Sequence, residues 1–350
     1  MIAFLSEYGM FLAKVVTLVV ALLFIIGGIA ASASRGRGKA DQEGDLRVRH
    51  LNDDFEDLKE CLEHEIMPEG QRKKMRKERK KQDKLEAKQK KKAGTEDKAM
   101  PRLFVLDFDG DVQASCVENL RKEINAVLQV ANQDDEVLVR LESPGGLVHS
   151  YGLAASQLRR IRNSGIKLTV AVDRVAASGG YMMACIADRI VAAPFSIIGS
   201  IGVVAQIPNF HRLLKKNDID VELMTAGEYK RTLTMLGENT DKGREKFQQE
   251  LEDTHQLFKD FVRDNRRGLD LDKVATGEHW FGAQAKELGL IDDIMTSDEL
   301  LQLRKDNQAL YQVNWEVKRK LGERLGFSME NVLHRVVEKL WHRGSQRQMH

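Results

Sequence analysis

A serine followed by two glycines is the first place in this chain where the residue types could perform chemistry. Ser178, Gly179 and Gly180 lie between an apolar strand pattern at 166–172 and an apolar helical run at 182–187. A hydroxyl at a strand-to-helix junction, beside amides that glycine leaves accessible, could attack a carbonyl and stabilise the resulting oxyanion. Serine at this position is also a common helix N-cap. The local sequence therefore allows two interpretations of Ser178, a nucleophile or a cap.

A second glycine-rich segment follows another predicted strand. Residues 143–146, Ser-Pro-Gly-Gly, come directly after a strand pattern at 136–141 and before a helical pattern at 147–161. Open α/β folds bind ligands at the carboxyl edge of the sheet, so Gly145 and the Ser178 segment are predicted to face one crevice. A Pro-Gly-Gly sequence is also typical of a simple tight turn.

A nucleophilic serine needs a group that accepts its proton. None of the nine histidines lies in a triad-like context, and the Gly-x-Ser-x-Gly elbow is absent because Ala176 occupies its first glycine position. A lysine can serve as the base if burial keeps it neutral. Lys230 is the best local candidate, since it follows a predicted strand at 221–225 and a glycine turn, although most lysines are solvated. The three cysteines show no metal-type spacing and are too few for a disulfide framework.

Strand and helix patterns alternate through the region that must position these residues. Strands are predicted at 103–108, 136–141 and 166–172, and helices at 115–130 and 147–161. Strands and helices that alternate at this spacing predict right-handed βαβ units and a parallel sheet. The uncharged stretch 190–210 contains prolines and glycines, so short strands are predicted there rather than a second membrane span.

The N-terminal region has the composition of a membrane anchor. Residues 15–34 carry no charge, and twenty apolar residues suffice to cross a bilayer as a helix. Residues 31–33 resemble a signal-peptide cleavage site, but no positively charged segment precedes the apolar run, which favours a retained anchor. Arg35, Arg37 and Lys39 follow at once, and the positive-inside rule favours a cytoplasmic location for what comes after them.

A strongly basic run follows the predicted anchor. Residues 71–92 hold thirteen Lys or Arg and only three Asp or Glu, which predicts a solvated linker or contact with anionic lipid headgroups. Nucleic-acid binding is not predicted, because no aromatic interleaving or recognised module accompanies the run. Near the C-terminus, apolar residues recur at helical spacing between Val332 and Trp341. The amphipathic helix that they predict could pack on the domain, join protomers or lie on the membrane. The predicted divisions are an anchor at 1–39, a charged linker at 40–99, a globular domain at 100–305 and a basic amphipathic extension at 306–350.

Several glycine-rich motifs occur in a specific order along the globular domain. They are residues 141–146, 173–181, 198–203 and 227–230, followed by a turn-helix-strand element at 280–292. This order resembles the signal peptide peptidase A (protease IV) family over roughly residues 100 to 300. The anchor, the basic linker and the single catalytic unit resemble the SohB-type members of that family.

The resemblance implies a serine–lysine peptidase with a ClpP/crotonase-like α/β fold of repeated ββα and βαβ units. Ser178 matches the nucleophile, Lys230 the general base, and Ser200 the serine that orients the lysine. The backbone amides of Gly145 and Gly179 match the oxyanion hole. The implied enzyme needs no metal or cofactor and hydrolyses signal peptides, membrane-derived peptides or unfolded proteins through an acyl-enzyme.

The resemblance also implies a homo-oligomeric ring in which neighbouring subunits share the dyad, held by a single span in the bacterial inner membrane. Clearance of signal peptides places such a domain on the periplasmic face, whereas the positive-inside rule places it in the cytoplasm. The side of the membrane therefore stays open. Two other classes of protein stay open too, namely a crotonase-like protein that binds acyl thioesters and an inactive membrane scaffold.

Overall fold

The computed structural model describes residues 44–68, 70–71 and 100–317, together with the single residues 10, 14, 17, 81 and 85. The chain divides into a unit of residues 46–316 and a second unit of residues 1–45 with 317–350. Apart from the single residues just named, the predicted span at 15–34, the basic run at 72–92 and the helix of the C-terminal extension lie outside the described residues. Within the described residues, no helix has both the length and the apolar character needed to cross a membrane.

The described strands form two sheets. In chain order they are β1 Gly44–His50, β2 Arg102–Asp109, β3 Glu136–Glu142, β4 Lys167–Val172, β5 Val175–Ala177, β6 Arg189–Ala192, β7 Ile197–Gly199, β8 His279–Phe281, β9 Asp293–Ile294 and β10 Ala309–Val317. The larger sheet has the order β1-β10-β2-β3-β4-β6-β9, and the smaller has the order β5-β7-β8. In the larger sheet every pair from β10 to β9 is parallel. In the smaller sheet β5 and β7 are parallel, whereas β7 and β8 are antiparallel.

The helices of the described residues are numbered here in chain order. They are α1 Leu51–Ile66, α2 Val117–Val130, α3 Val148–Asn163, α4 Gly179–Ala184, α5 His211–Lys216, α6 Asp241–Asn265, α7 Leu271–Val274, α8 Gly282–Glu287 and α9 Ser297–Arg304.

The central strands of the larger sheet are buried on both faces. Phe104 and Leu106 of β2 pack in a core that α2, α3, α4 and α6 cover, whereas Leu103 and Val105 face a smaller core that includes residues of α1 and α9. Strands buried on both sides are near-continuous apolar runs, which is typical of parallel sheets with helices on each face. The apolar composition of β2, β3 and β4 thus explains their central position.

The predicted βαβ succession is confirmed. The strands β2, β3 and β4 and the helices α2 and α3 begin and end within two residues of the predicted positions. The stretch 190–210 contains strand residues of β6 and β7 and no helix, so the prediction of short strands in place of a second span is also confirmed. The fold is therefore α/β, with one parallel sheet and one small mixed sheet.

The folded unit is longer at both ends than the predicted range of 100–305. Strand β1 and helix α1 fall in the predicted linker, and β10 falls in the predicted extension. The Asn52 side chain donates to the Lys305 and Gln308 carbonyls and accepts from the Leu310 amide, which joins α1 to β10. Strand β1 is mostly exposed, and β10 buries only Leu310 and Val313, which lie in different cores, so neither strand has the continuous apolar run that marks the central strands.

The strand predicted at 221–225 is wrong. No regular structure occurs between residues 217 and 240, and Val221, Leu223 and Met224 are exposed. A strand needs a neighbour for its backbone hydrogen bonds, and none of the described strands runs beside this stretch. Lys230 therefore lies in an exposed, irregular segment.

One buried carboxyl of the larger core makes stability depend on pH. Glu123 of α2 is only 4% exposed, and its Oε1 accepts a hydrogen bond from the Trp315 amide of β10 at 2.7 Å. Burial raises the pKa of Glu123, the Trp315 amide opposes the rise and the charge of Asp107 adds to it, and the resulting pKa is about 7. The folded chain therefore holds a proton that the unfolded chain releases at lower pH. This contribution to stability is complete at pH values below the unfolded pKa and is lost as the pH rises through 7.

We expect Glu123→Gln to remove this dependence. Between pH 5.5 and pH 8 the free energy of unfolding should fall by about 2 kcal/mol more in the wild type than in the variant. Urea unfolding of the full-length chain at both pH values measures the difference. Glu118→Gln on the same helix is the control, because Glu118 is a partly exposed partner of Arg121. An equal pH dependence in wild type and Glu123→Gln would contradict the assignment.

Candidate active site

Ser178 lies between the end of β5 and the start of α4 in a strained conformation. Its φ of 52° and ψ of −116° belong to a region that side chains rarely adopt, at a cost of about 1–3 kcal/mol. Its side chain makes no capping hydrogen bond to α4, so the interpretation of Ser178 as a side-chain N-cap is wrong. The hydroxyl is partly exposed and has no hydrogen-bond partner among the described residues. A strained residue that presents a free hydroxyl is the arrangement that a nucleophilic serine requires.

Ser200 lies beside Ser178 because their strands pair in register. Ala177 of β5 is opposite Gly199 of β7, and the Ser178 amide donates to the Gly199 carbonyl at 2.8 Å. Ser200 also has a positive φ, of 51°, and its hydroxyl donates to the Gly277 carbonyl at 3.4 Å. The small sheet thus brings both predicted serines to the same edge.

The glycine turn after β3 abuts this edge. Ser143 forms an isolated parallel bridge with Ala176, and Gly145 has a φ of +88°. A Cβ on Gly145 would lie 2.7 Å from the Ser178 Cβ and 2.8 Å from the Gly179 nitrogen, so only glycine fits there. The two glycine-rich strand ends therefore face each other, as the sequence predicted.

The backbone amides at this edge differ in whether they have a hydrogen-bond partner. The Gly145 amide donates to the Ser143 Oγ at 3.1 Å. The amides of Gly146 and Gly179 have no hydrogen-bond partner in the part of the chain that the structure describes. Gly179 is the first residue of α4, where helical geometry leaves the amide unpaired. Of these three amides, those of Gly146 and Gly179 are thus free to donate, whereas the predicted Gly145 donor is already engaged.

Lys230 makes no hydrogen bond to Ser178 or Ser200 within the described residues. It is exposed, and its Nζ forms no hydrogen bond or ion pair with any residue that the structure describes. Its amide donates to the Gly227 carbonyl at 3.2 Å, which closes a local turn. The structure therefore brings together four of the five predicted site residues and, within the described residues, shows no hydrogen bond from the fifth, Lys230, to any of them.

Other reactive groups near the site are less suited to attack a carbonyl. Burial raises the pKa of Cys185 to about 12, so this residue is a thiol rather than a thiolate. Burial also raises the pKa of Cys116. Over the described ranges, no cluster of three or more His, Cys, Asp or Glu side chains could hold a metal ion.

Two residues next to the site were assigned no role from the sequence. Ser143 and Tyr151 are fully buried, and their hydroxyl oxygens are 2.5 Å apart beneath the glycine turn. Ser143 is the first residue of the Ser-Pro-Gly-Gly segment, so its place next to the site could have been inferred from the sequence. Tyr151 looks like one more apolar position of α3, and nothing in its spacing points to the turn.

Comparisons with known proteins match nearly the whole chain. Residues 3–158 match the peptidase family S49 N-terminal domain, and residues 160–311 match peptidase family S49 itself. The probable protease SohB of Haemophilus influenzae is 51% identical over 344 residues, which cover 96% of this chain and 97% of that protein. The probable protease SohB of Buchnera aphidicola subsp. Schlechtendalia chinensis is 50% identical over 303 residues, covering 85% of this chain and 98% of that protein.

Among solved structures, a 1510-N membrane-bound stomatin-specific protease in complex with a substrate peptide matches with 14% identity and a TM-score of 0.41, covering 67% of this chain and 99% of that chain. The family assignment depends on the sequence matches, which have high identity and extend over almost the full length of the relatives. The chain belongs to peptidase family S49 and is a serine peptidase.

Proposed function

We propose that this peptidase is a membrane-anchored endopeptidase in which Ser178 is the nucleophile and Lys230 the general base. The geometry of Ser178 carries the proposal. Its hydroxyl is free, its backbone is strained, and the unpaired Gly179 amide follows it directly at the edge of the small sheet. Strained conformations persist where surrounding structure enforces them and are concentrated at active sites.

The amides of Gly179 and Gly146 form the proposed oxyanion hole. Gly179 follows the nucleophile directly, as one donor of such a hole commonly does. Gly146 takes the place that the sequence assigned to Gly145, because the Gly145 amide already donates to Ser143. Each well-placed donor lowers the barrier by about 3 kcal/mol.

A neighbouring subunit supplies Lys230 in this proposal. The segment that carries it exposes an unusual number of apolar side chains, which mark a surface that associates. They are Val204, Ile207, Phe210, Leu213, Ile219, Val221, Leu223, Met224, Tyr229, Met235 and Leu236. Packing against a second copy would bury this segment and favour the neutral amine that a base requires. Ser200, which lies beside Ser178, would then orient the arriving lysine.

The reaction follows from these roles. Ser178 Oγ attacks the peptide carbonyl carbon while Lys230 Nζ takes the hydroxyl proton, and the two amides stabilise the oxyanion. The C–N bond then breaks as the lysine returns the proton to the leaving amine. Water hydrolyses the remaining ester and frees Ser178. No step requires a metal or cofactor.

The same proposal includes the membrane location, the substrates and the fold of the enzyme. The apolar run at 15–34 spans the bacterial inner membrane once, and the basic run at 71–92 lies near lipid headgroups. Signal peptides, membrane-derived peptides and unfolded proteins are the proposed substrates. The succession of parallel strands and helices, with a small second sheet next to Ser178, supports a ClpP/crotonase-like fold.

A serine-directed probe tests the nucleophile directly. We expect a fluorophosphonate to modify the wild-type chain at Ser178, as located by mass spectrometry, and to leave Ser178→Ala unmodified. Ser156→Ala is the matched control, since Ser156 lies on the exposed side of α3 and its hydroxyl donates to the Gly152 carbonyl. Equal labelling of wild type and Ser178→Ala, or labelling at a different serine, would refute the assignment.

A further inference from the structure

A chain of buried hydroxyls lies directly beneath the proposed oxyanion hole. Ser143 and Tyr151 are both 0% exposed, and the 2.5 Å contact between their oxygens is the centre of the chain. The Gly145 amide lies 3.1 Å from Ser143 Oγ at one end. The Asp111 carbonyl lies 2.7 Å from the Tyr151 hydroxyl at the other.

A count of the available protons shows that the hydrogen bonds between these groups can run in only one direction. The one hydroxyl proton of Tyr151 is donated to the Asp111 carbonyl, so the Tyr151 oxygen can only accept from Ser143. The Ser143 proton is thereby used, and its oxygen accepts from the Gly145 amide. Burial raises the pKa of Tyr151, which keeps its hydroxyl protonated. Every donor is therefore committed, and the chain of hydrogen bonds has one low-energy arrangement.

This arrangement determines which amide of the glycine turn is left without a hydrogen-bond partner. The Gly145 amide donates to Ser143, and the next amide along the polypeptide, that of Gly146, is the one without a partner among the described residues. Gly145 has a positive φ and no Cβ, so its backbone has little intrinsic preference for this orientation. The hydrogen bond to Ser143 supplies the constraint that the glycine lacks.

The ring of Tyr151 also supports the second proposed donor, the Gly179 amide. A Cβ on Gly179 would lie 2.4 Å from the Tyr151 Cγ, which shows that the backbone of Gly179 rests on the ring. Tyr151 thus contacts the first residue after the nucleophile through its ring and reaches the glycine turn through its hydroxyl.

We propose that Ser143 and Tyr151 are a positioning pair that holds the Gly146 and Gly179 amides in the orientation needed to bind the oxyanion. This rests on the proposed function, since it presupposes that these two amides stabilise the transition state. The pair touches no reacting atom. It acts by keeping the donors aligned before the substrate arrives.

Tyr151→Phe tests the pair while keeping the ring against Gly179. We expect kcat for a fluorogenic apolar peptide to fall about 10- to 100-fold, less than the loss of a whole oxyanion donor, with KM changed less than about threefold. The affinity for a peptide aldehyde of the same sequence should fall by the same factor as kcat/KM, because its adduct places an oxyanion in the hole.

Tyr181→Phe is the matched control. Tyr181 is also fully buried, and its hydroxyl donates to the Leu290 carbonyl at 2.9 Å, away from the glycine turn. Its loss should lower stability to a similar extent and leave kcat within about twofold of the wild type. An equal fall of kcat in the two variants, or an unchanged kcat and aldehyde affinity in Tyr151→Phe, would overturn the proposal.

Ser143→Ala gives a second test, which also serves if Tyr151→Phe does not fold. It removes the acceptor of the Gly145 amide and should lower kcat by a similar factor. The double variant should be little worse than either single variant, because the two residues act as a unit. Additive losses would show that they act separately and would overturn the pair.

Failure of this proposal can be told apart from failure of the proposed function. If Ser178→Ala retains hydrolysis, the nucleophile assignment is wrong whatever the Tyr151 variant does. If Ser178→Ala is inactive while Tyr151→Phe and Ser143→Ala retain wild-type kcat, only the positioning pair is wrong.

Discussion

Ser178→Ala and Lys230→Ala are each expected to abolish peptide hydrolysis, with kcat reduced roughly 10⁴- to 10⁶-fold. The nucleophile and its base act as one unit, so the loss of either should cost nearly as much as the loss of both. Cleavage of an unfolded protein or of an apolar fluorogenic peptide by the full-length variants measures this. Neither side chain has a hydrogen-bond partner within the described residues, so the variants should keep wild-type stability and oligomeric state.

Lys59→Ala is the matched control for Lys230. Both lysines are exposed in the described structure, and Lys59 lies on α1, outside the exposed apolar segment that carries Lys230. The control should retain activity within about twofold, because surface substitutions away from a site are usually neutral. Hydrolysis that persists in Ser178→Ala would exclude Ser178 as the nucleophile. Hydrolysis that persists in Lys230→Ala would exclude the dyad and require another base for Ser178.

Mixing the two inactive variants is expected to restore activity. If each site combines Ser178 of one subunit with Lys230 of the next, a 1:1 mixture after complete subunit exchange should have about one quarter of wild-type activity. The reason is that each functional site needs one intact serine and one intact lysine at the same interface. Two observations favour this arrangement: Lys230 makes no hydrogen bond to Ser178 within the described residues, and exposed apolar residues surround Lys230 in the sequence.

The double variant Ser178→Ala/Lys230→Ala, mixed with wild type, makes the comparison quantitative. A dyad shared between subunits predicts about one quarter of wild-type activity in both mixtures. A dyad within one chain predicts none in the first mixture and about one half in the second. Subunit exchange is verified beforehand with two differently labelled wild-type preparations. No activity in the first mixture, together with about one half in the second, would refute the shared site while leaving the catalytic roles of Ser178 and Lys230 intact.

Much of the framework was readable from the sequence. Apolar runs that alternate with helical patterns predicted β2, α2, β3, α3 and β4 to within two residues, because these central strands are buried on both faces. The two glycine-rich segments were predicted to meet for a related reason, since parallel strands end at the same edge. Segments without such a pattern were missed, such as the partly exposed β1 and β10, whose strands depend on pairing.

Residue types and spacing by themselves determined which serine and which lysine are the candidates, and only the tertiary structure decided how Ser178 is held. Whether Ser178 caps a helix depends on its backbone angles, and a φ of 52° with no capping bond is a property of the folded chain. The choice between the Gly145 and Gly146 amides likewise depends on a buried partner, Ser143, whose own orientation is determined by Tyr151. Glycine adopts many conformations, so its sequence position predicts a turn but not the direction of its amide. That direction comes from hydrogen bonds between residues that the sequence keeps apart and the fold brings together.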